Sequence, residues 1–178
     1  MALKSTIFKA DVQISNMDAN YYANHSLTLA QHPSETEERL MLRLLAFMLH
    51  ASERLEFGKG ISNDDEAALW EKDLTDQVQL WIEVGTPDEK RVRKACHRAE
   101  RVIVYGYGGR TVSIWWQQNQ KALERFENLK VFSVDRDFSA KLEKMCERTM
   151  QLQCTIQDGL AWVSNTSDTL QLEMETLQ

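Results

Sequence analysis

Carboxylates at Glu35, Glu38, Asp65 and Glu83, followed by cations at Lys90, Arg91, Arg93, Lys94 and Arg98, fall in an order that suits chemistry on a phosphodiester. Asp65 stands just before a short strand and Glu83 on the next, so a hairpin would let both carboxylates converge on one hard cation. Mg²⁺ takes oxygen ligands, keeps several waters and needs only one or two protein carboxylates. A nearby lysine would hold the attacking water or the phosphate. Those are the parts of metal-assisted phosphodiester hydrolysis.

Glu83 is the sharpest of these signals. It lies in the apolar run Val78-Gln79-Leu80-Trp81-Ile82-Glu83-Val84. Strand alternation puts Val78, Leu80, Ile82 and Val84 on one face and Gln79, Trp81 and Glu83 on the other. A carboxylate inside a sheet is costly unless compensated. Three compensations are open: a divalent metal, a hydrogen-bond network, or a buried ion pair with Lys94 or an arginine. The plain alternative is that the second face is solvated. Glu38 has its own plain reading as a surface glutamate favoured by the helix N-terminus. Asp65, in Asn63-Asp64-Asp65-Glu66, also reads as turn chemistry. The Lys90–Arg98 stretch is either a solvated helix face or a phosphate-contacting patch.

The elements that must position these groups are legible in outline. Thr6–Ile14 alternates, Ser15–Asn20 is turn-like and Tyr21–Ala30 returns, which predicts an N-terminal hairpin. Ser34 with Glu37 forms a capping box for a helix carrying Leu40, Met41, Leu44, Leu45, Met48 and Leu49. Short strands are expected near Glu53–Phe57 and Ala68–Lys72, then a turn at Asp73–Gln77 into the strand with Glu83. Thr86 as N-cap, Pro87 at N1 and Glu89 at N3 predict a second helix, running to about Ala99. Val102–Tyr105 reads as a buried strand, Thr111–Asn128 as a helix, Lys130–Val134 as a strand and Phe138–Arg148 as a helix. From Met150 onward the alternation predicts antiparallel strands. The expectation is one α/β (α+β) domain over residues 1–178, with a mixed central sheet flanked by helices and added antiparallel strands at both ends.

Composition limits the classes of function. The chain has 178 residues, 43% hydrophobic and 27% charged, with a net charge of −6. Acidity excludes a general basic nucleic-acid coat, so any nucleic-acid contact must rest on a local patch such as the Lys90–Arg98 helix. Cys96, Cys146 and Cys154 fit neither a zinc motif nor a disulfide framework. No run reaches membrane-spanning length and the N-terminus lacks an apolar signal core, so a cytoplasmic protein without a membrane partner is expected. Gly106, Gly108 and Gly109 follow a strand, but Arg110 breaks the nucleotide-loop patterns. Trp115 and Trp116 invite base stacking, although at least one belongs in the core. His32 lacks a paired ligand and fits a role at the helix entry.

The order of motifs resembles a known family. His32-Pro33-Ser34-Glu35-Thr36-Glu37-Glu38-Arg39, Asp64-Asp65-Glu66, Leu80-Trp81-Ile82-Glu83-Val84-Gly85-Thr86-Pro87-Asp88-Glu89-Lys90, Lys94-Ala95 and Ile114-Trp115-Trp116-Gln117-Gln118-Asn119-Gln120 are similar to the bacterial YaeQ family over essentially the whole chain. The resemblance implies a variation on the PD-(D/E)XK nuclease fold. It places the helical glutamate on Glu38 (Glu35 as the lesser choice), the strand aspartate on Asp65 (or Asp64) and the acidic motif residue on Glu83. The motif lysine is missing, because Gly85 stands in its place, and Lys94 or Lys90 on the following helix would have to substitute. Two functions follow from the resemblance: a Mg²⁺-dependent nuclease using Glu38, Asp65, Glu83 and Lys94, or a non-catalytic module that binds nucleic acid or protein on the same fold.

Overall fold

The computed structural model describes residues 4–59, 61 and 63–178. The expected mixed α/β architecture is present, with its strands divided between two sheets. The chain forms two compact units, residues 4–51 with 137–173, and residues 52–136 with 174–178.

The first unit starts from the N-terminal hairpin. β1 (Thr6–Asn16) and β2 (Tyr21–Gln31) pair antiparallel along their whole length. Phe8, Ala10, Val12 and Ile14 are buried while Lys9, Asp11 and Gln13 face out, the period-two pattern read from sequence. α1 (Glu37–His50) packs on β2 and on β8 (Thr149–Gln157). β9 (Leu160–Ser164) and β10 (Thr169–Gln171) complete a sheet of order β10-β9-β8-β1-β2. β8–β9 and β9–β10 are antiparallel, as expected of the C-terminal strands, while β8 pairs parallel to β1, from Lys9↔Thr149 to Asn16↔Ile156, a pairing that the alternation leaves open. No short turn joins β1 to β8. The orientation is therefore free of a hairpin constraint.

The second unit carries most of the candidate residues. Its sheet runs β11-β7-β6-β5-β4-β3. β3 (Leu55–Phe57), β4 (Leu69–Lys72) and β5 (Val78–Val84) form an antiparallel meander. Asp73 tightens the β4–β5 turn by accepting from the Thr75 and Gln77 amides. α2 (Glu89–Arg98) then crosses to β6 (Ala99–Gly106), and α3 (Arg110–Leu123) crosses to β7 (Leu129–Val134). Thus β5, β6 and β7 are parallel, as two successive βαβ crossovers require. At the end of β6, a side chain on Gly106 would meet Val112 Cγ2 at 2.2 Å, so the close approach of α3 demands glycine. α4 (Arg136–Glu143) leads back to the first unit, and β11 (Met174–Thr176) returns to pair with β7. α3 and α4 are each five residues shorter at the C-terminal end than expected.

The solvated-face alternative for β5 is overturned. Trp81 is fully buried and Glu83 is 3% exposed, alongside Leu80, Ile82 and Val84 on the opposite face. Hydrogen-bonded neighbours cover only a strand's edges; it is the crossover helices α2 and α3 that cover the Trp81 face. Trp81 shares one apolar cluster with Val92, Ala95 and Cys96 of α2 and with Val112, Trp115 and Trp116 of α3.

Both helix starts also shift. The α1 N-cap is Thr36, which accepts from the Arg39 amide, and not Ser34. The Ser34 amide instead donates to His32 Nδ1 and the Glu35 amide to the His32 carbonyl, so the chain turns before the helix begins. The α2 N-cap is Asp88, accepting from the Arg91 amide, and not Thr86. Residues ahead of it stay non-helical: Gly85 has φ +111°, and the Pro87 carbonyl accepts Trp115 Nε1 at 2.6 Å.

Candidate functional site

Glu83 is compensated by protein donors. Its Oε1 accepts from Trp81 Nε1 at 2.7 Å and from Arg91 Nε at 2.8 Å. Trp81 is two residues earlier on the same strand face. Arg91 lies in the first turn of α2, which the buried stripe Val92, Ala95, Cys96 and Ala99 turns toward the sheet. Of the compensations left open by the sequence, the one observed combines a buried ion pair with an arginine and a hydrogen-bond network.

Arg91 also reaches the acidic loop. Its Nη1 donates to the Asn63 carbonyl at 3.4 Å and to Asp64 Oδ1 at 3.5 Å, and its Nη2 to the Glu66 carbonyl at 2.6 Å. Lys94 Nζ donates to Asp65 Oδ1, and Arg98 Nη1 donates to the Asp65 carbonyl at 2.8 Å. Arg91, Lys94 and Arg98 are spaced i, i+3, i+7, which puts them on one stripe of α2. The loop segment 63–66 turns carboxylate and carbonyl oxygens toward that stripe. The Asp65 carboxyl lies below its usual range, first because Lys94 hydrogen-bonds to it and then because the charges of Lys94 and Arg98 favour its ionised form. Arg98 also spreads over the Trp81 ring at 5.2 Å, with Trp70 packed edge-on against Trp81.

The residues expected to act together are distributed as follows. Asp65 meets Lys94, and Glu83 meets Arg91. Glu38 belongs to the first unit, where its Oε1 accepts from the Ser139 hydroxyl at 2.7 Å. Glu35 is buried in a bidentate pair with Arg43, at 2.7 and 2.8 Å, with Arg39 at 2.7 Å as a third partner. That network gives Glu35 a structural role. Among the described residues, no three His, Cys, Asp or Glu side chains are grouped closely enough to hold a metal ion. In this arrangement the donor set does not fit Mg²⁺, because a Glu83 oxygen is spent on two N–H donors and an Asp65 oxygen on an ammonium. Gly85 has φ +111°, a conformation that a lysine rarely adopts.

The remaining candidates resolve into packing. Trp115 and Trp116 are both buried in the core of the second unit. Cys96, beside cations in sequence, has its thiol pushed up to about 11 by burial, so it stays protonated near neutrality. His97 packs edge-on to Phe126. The sequence reading left the partner of Glu83 as Lys94 or an arginine, because the i, i+3, i+7 relation of Arg91, Lys94 and Arg98 does not single out Arg91.

Fold and site together define a mixed α/β protein whose parallel-strand unit buries a strand carboxylate under a basic helix, with an acidic loop docked on that helix. A family model described as YaeQ protein matches residues 1–174, and the chain belongs to the YaeQ family. It is 47% identical over 178 residues to "Uncharacterized protein YaeQ" of Escherichia coli (strain K12), covering all of this chain and 98% of that one, and 46% identical to the protein of the same name from Salmonella typhi, with the same coverage. The crystal structure of a YaeQ protein from Xanthomonas axonopodis pv. citri aligns with a TM-score of 0.93 at 49% identity, over 98% of both chains. A YaeQ protein from Pseudomonas syringae aligns with the same TM-score at 34% identity, over 98% of this chain and 96% of that one. No helix among the described residues is long and apolar enough to cross a membrane.

Proposed function

We propose that this YaeQ-family protein is a non-catalytic nucleic-acid-binding module on a PD-(D/E)XK nuclease-like scaffold, with α2 as its phosphate-contacting element. The observation that carries this reading is the engagement of Glu83 by Trp81 and Arg91. A carboxylate already neutralised by a guanidinium and an indole N–H serves the fold. The order of elements supports the scaffold assignment: Asp65 lies in the loop ahead of the β4–β5 hairpin, Glu83 on β5 and Lys94 on α2, which leads to parallel β6. Lys90 and Lys94 are exposed and Arg93 is half-buried on α2, a local cation-rich face on a chain of net charge −6. Such a patch attracts a phosphate backbone despite the net negative charge of the chain.

The second reading, a Mg²⁺-dependent nuclease using Glu38, Asp65, Glu83 and Lys94, is favoured by one observation. Lys94 meets Asp65 from the helix that follows the motif strand, as a displaced motif lysine would. It requires Arg91 and Lys94 to yield both carboxylates.

One set of measurements separates the two. Fluorescence anisotropy with a short labelled DNA duplex should show binding whose log affinity falls linearly with log salt. Lys90→Ala/Arg93→Ala should reduce that slope by about two, roughly one per lost phosphate contact. Titration calorimetry should show no saturable Mn²⁺ binding, and the duplex should stay intact. Absence of binding at low salt would overturn the nucleic-acid partner. Mn²⁺-dependent cleavage that Glu83→Gln removes without unfolding the protein would establish the nuclease reading instead.

A further inference from the structure

We infer that the loop segment 63–66 is an intramolecular occupant of the α2 cation stripe, which a phosphate backbone must displace in order to bind. This inference rests on α2 being the nucleic-acid contact. The loop gives the stripe only oxygen acceptors: the Asp64 and Asp65 carboxylates and the carbonyls of Asn63, Asp65 and Glu66. Anionic oxygens presented to guanidinium and ammonium donors are also what a phosphodiester chain offers. The loop therefore occupies the stripe with the same chemistry as the ligand.

Two features make the occupant removable. Arg91 holds Glu83 through Nε and holds the loop through Nη1 and Nη2. Withdrawing the loop leaves the buried carboxylate paired, so opening does not strand a charge in the interior. The side chains at the tip are also highly exposed, 98% for Asp64 and 76% for Asp65. Ion pairs at that exposure are weak and screened by salt. The base of the loop is fixed by contrast, with the Gly58 amide bonded to the Ala68 carbonyl at 3.0 Å and no room for a side chain on Gly58 against Ala67. The loop can swing at its tip while its root stays in the sheet.

The test compares two neutralised variants for binding to a short labelled DNA duplex at fixed salt. Asp64→Asn/Asp65→Asn removes the two carboxylate charges that the occupant presents to the stripe. Glu124→Gln/Glu127→Gln removes two exposed carboxylates at and beyond the C-terminal end of α3 in the same unit, and controls for net charge. The loop variant should bind about tenfold more tightly than wild type, and the control by less than about twofold. Equal tightening in both variants overturns the inference while leaving α2 as the contact, provided Lys90→Ala/Arg93→Ala weakens binding. No binding by wild type or loop variant overturns both. A readout independent of mutation is hydrogen exchange on the wild-type protein: amides 63–66 should exchange faster when DNA is added, and unchanged or slower exchange there overturns displacement.

Discussion

A single carboxylate decides how the charged side chains of the second unit are arranged. Glu83 is 3% exposed, so it must be neutralised or matched with donors, and Arg91 and Trp81 do both. Removing one member of a buried pair costs more than the pair itself is worth, because the survivor keeps its desolvation penalty. Arg91→Ala should therefore destabilise the protein by about 3 kcal/mol, the lower end for buried pairs since its side chain is 19% exposed. Glu83→Gln keeps an acceptor for both N–H donors and should cost less, about 1–2 kcal/mol. In Glu83→Gln/Arg91→Ala the losses should be clearly less than additive. Urea denaturation of the four proteins measures this cycle, and additive losses would mean that the two side chains do not share one interaction. The need for a partner was legible in the sequence, from a carboxylate in an apolar strand. Its identity was not, because Arg91, Lys94 and Arg98 share a stripe and only the packed helix shows which of them faces the strand.

At the scale of elements, the strands and helices were mostly legible from alternation and apolar stripes, while their starts and pairings were not. Thr36 and Asp88 cap α1 and α2 where Ser34 and Thr86 matched the local signature equally well. Ser/Thr/Asp caps are close in intrinsic preference, so tertiary contacts choose among neighbours: His32 turns the chain at Ser34, and Trp115 holds the Pro87 carbonyl outside α2. Thr36→Ala and Asp88→Ala should each lower stability by about 1 kcal/mol. Ser34→Ala and Thr86→Ala should stay within about 0.5 kcal/mol of wild type. Thermal or urea denaturation distinguishes the pairs, and a larger loss at Ser34 than at Thr36 would return the start of α1 to the earlier residue. Strand orientation is a different case. Alternation sets which face of β8 is buried but says nothing about whether β1 beside it runs parallel, because no local turn links the two.

At the scale of the whole chain, the path between the two units is the feature that no local pattern encodes. The chain leaves the second unit after α3 and β7, builds β8, β9 and β10 of the first, and then returns for its last five residues. Met174 continues the alternation read from Met150 onward and Leu177 packs on the apolar core of the second unit, but neither marks which sheet the segment joins. The segment is nevertheless tied in: β11 pairs with β7, the Leu177 amide donates to the Val131 carbonyl at 2.8 Å, and the Val131 amide to the Gln178 carbonyl at 2.9 Å. Gln178 Nε2 donates to the carbonyls of Leu123 and Phe126 at 3.3 and 3.0 Å, where α3 ends and its terminal carbonyls lack helical partners. The tail thus covers an otherwise open strand edge and closes a helix terminus. Deleting residues 174–178 should raise the hydrogen-exchange rates of β7 and late α3 amides by about tenfold or more, with β1 and β8 amides changed by less than about twofold. An equal rise in both sets would show that the units open as one cooperative body, and no rise in β7 would mean that the returning segment leaves the edge strand no more stable than it would be alone.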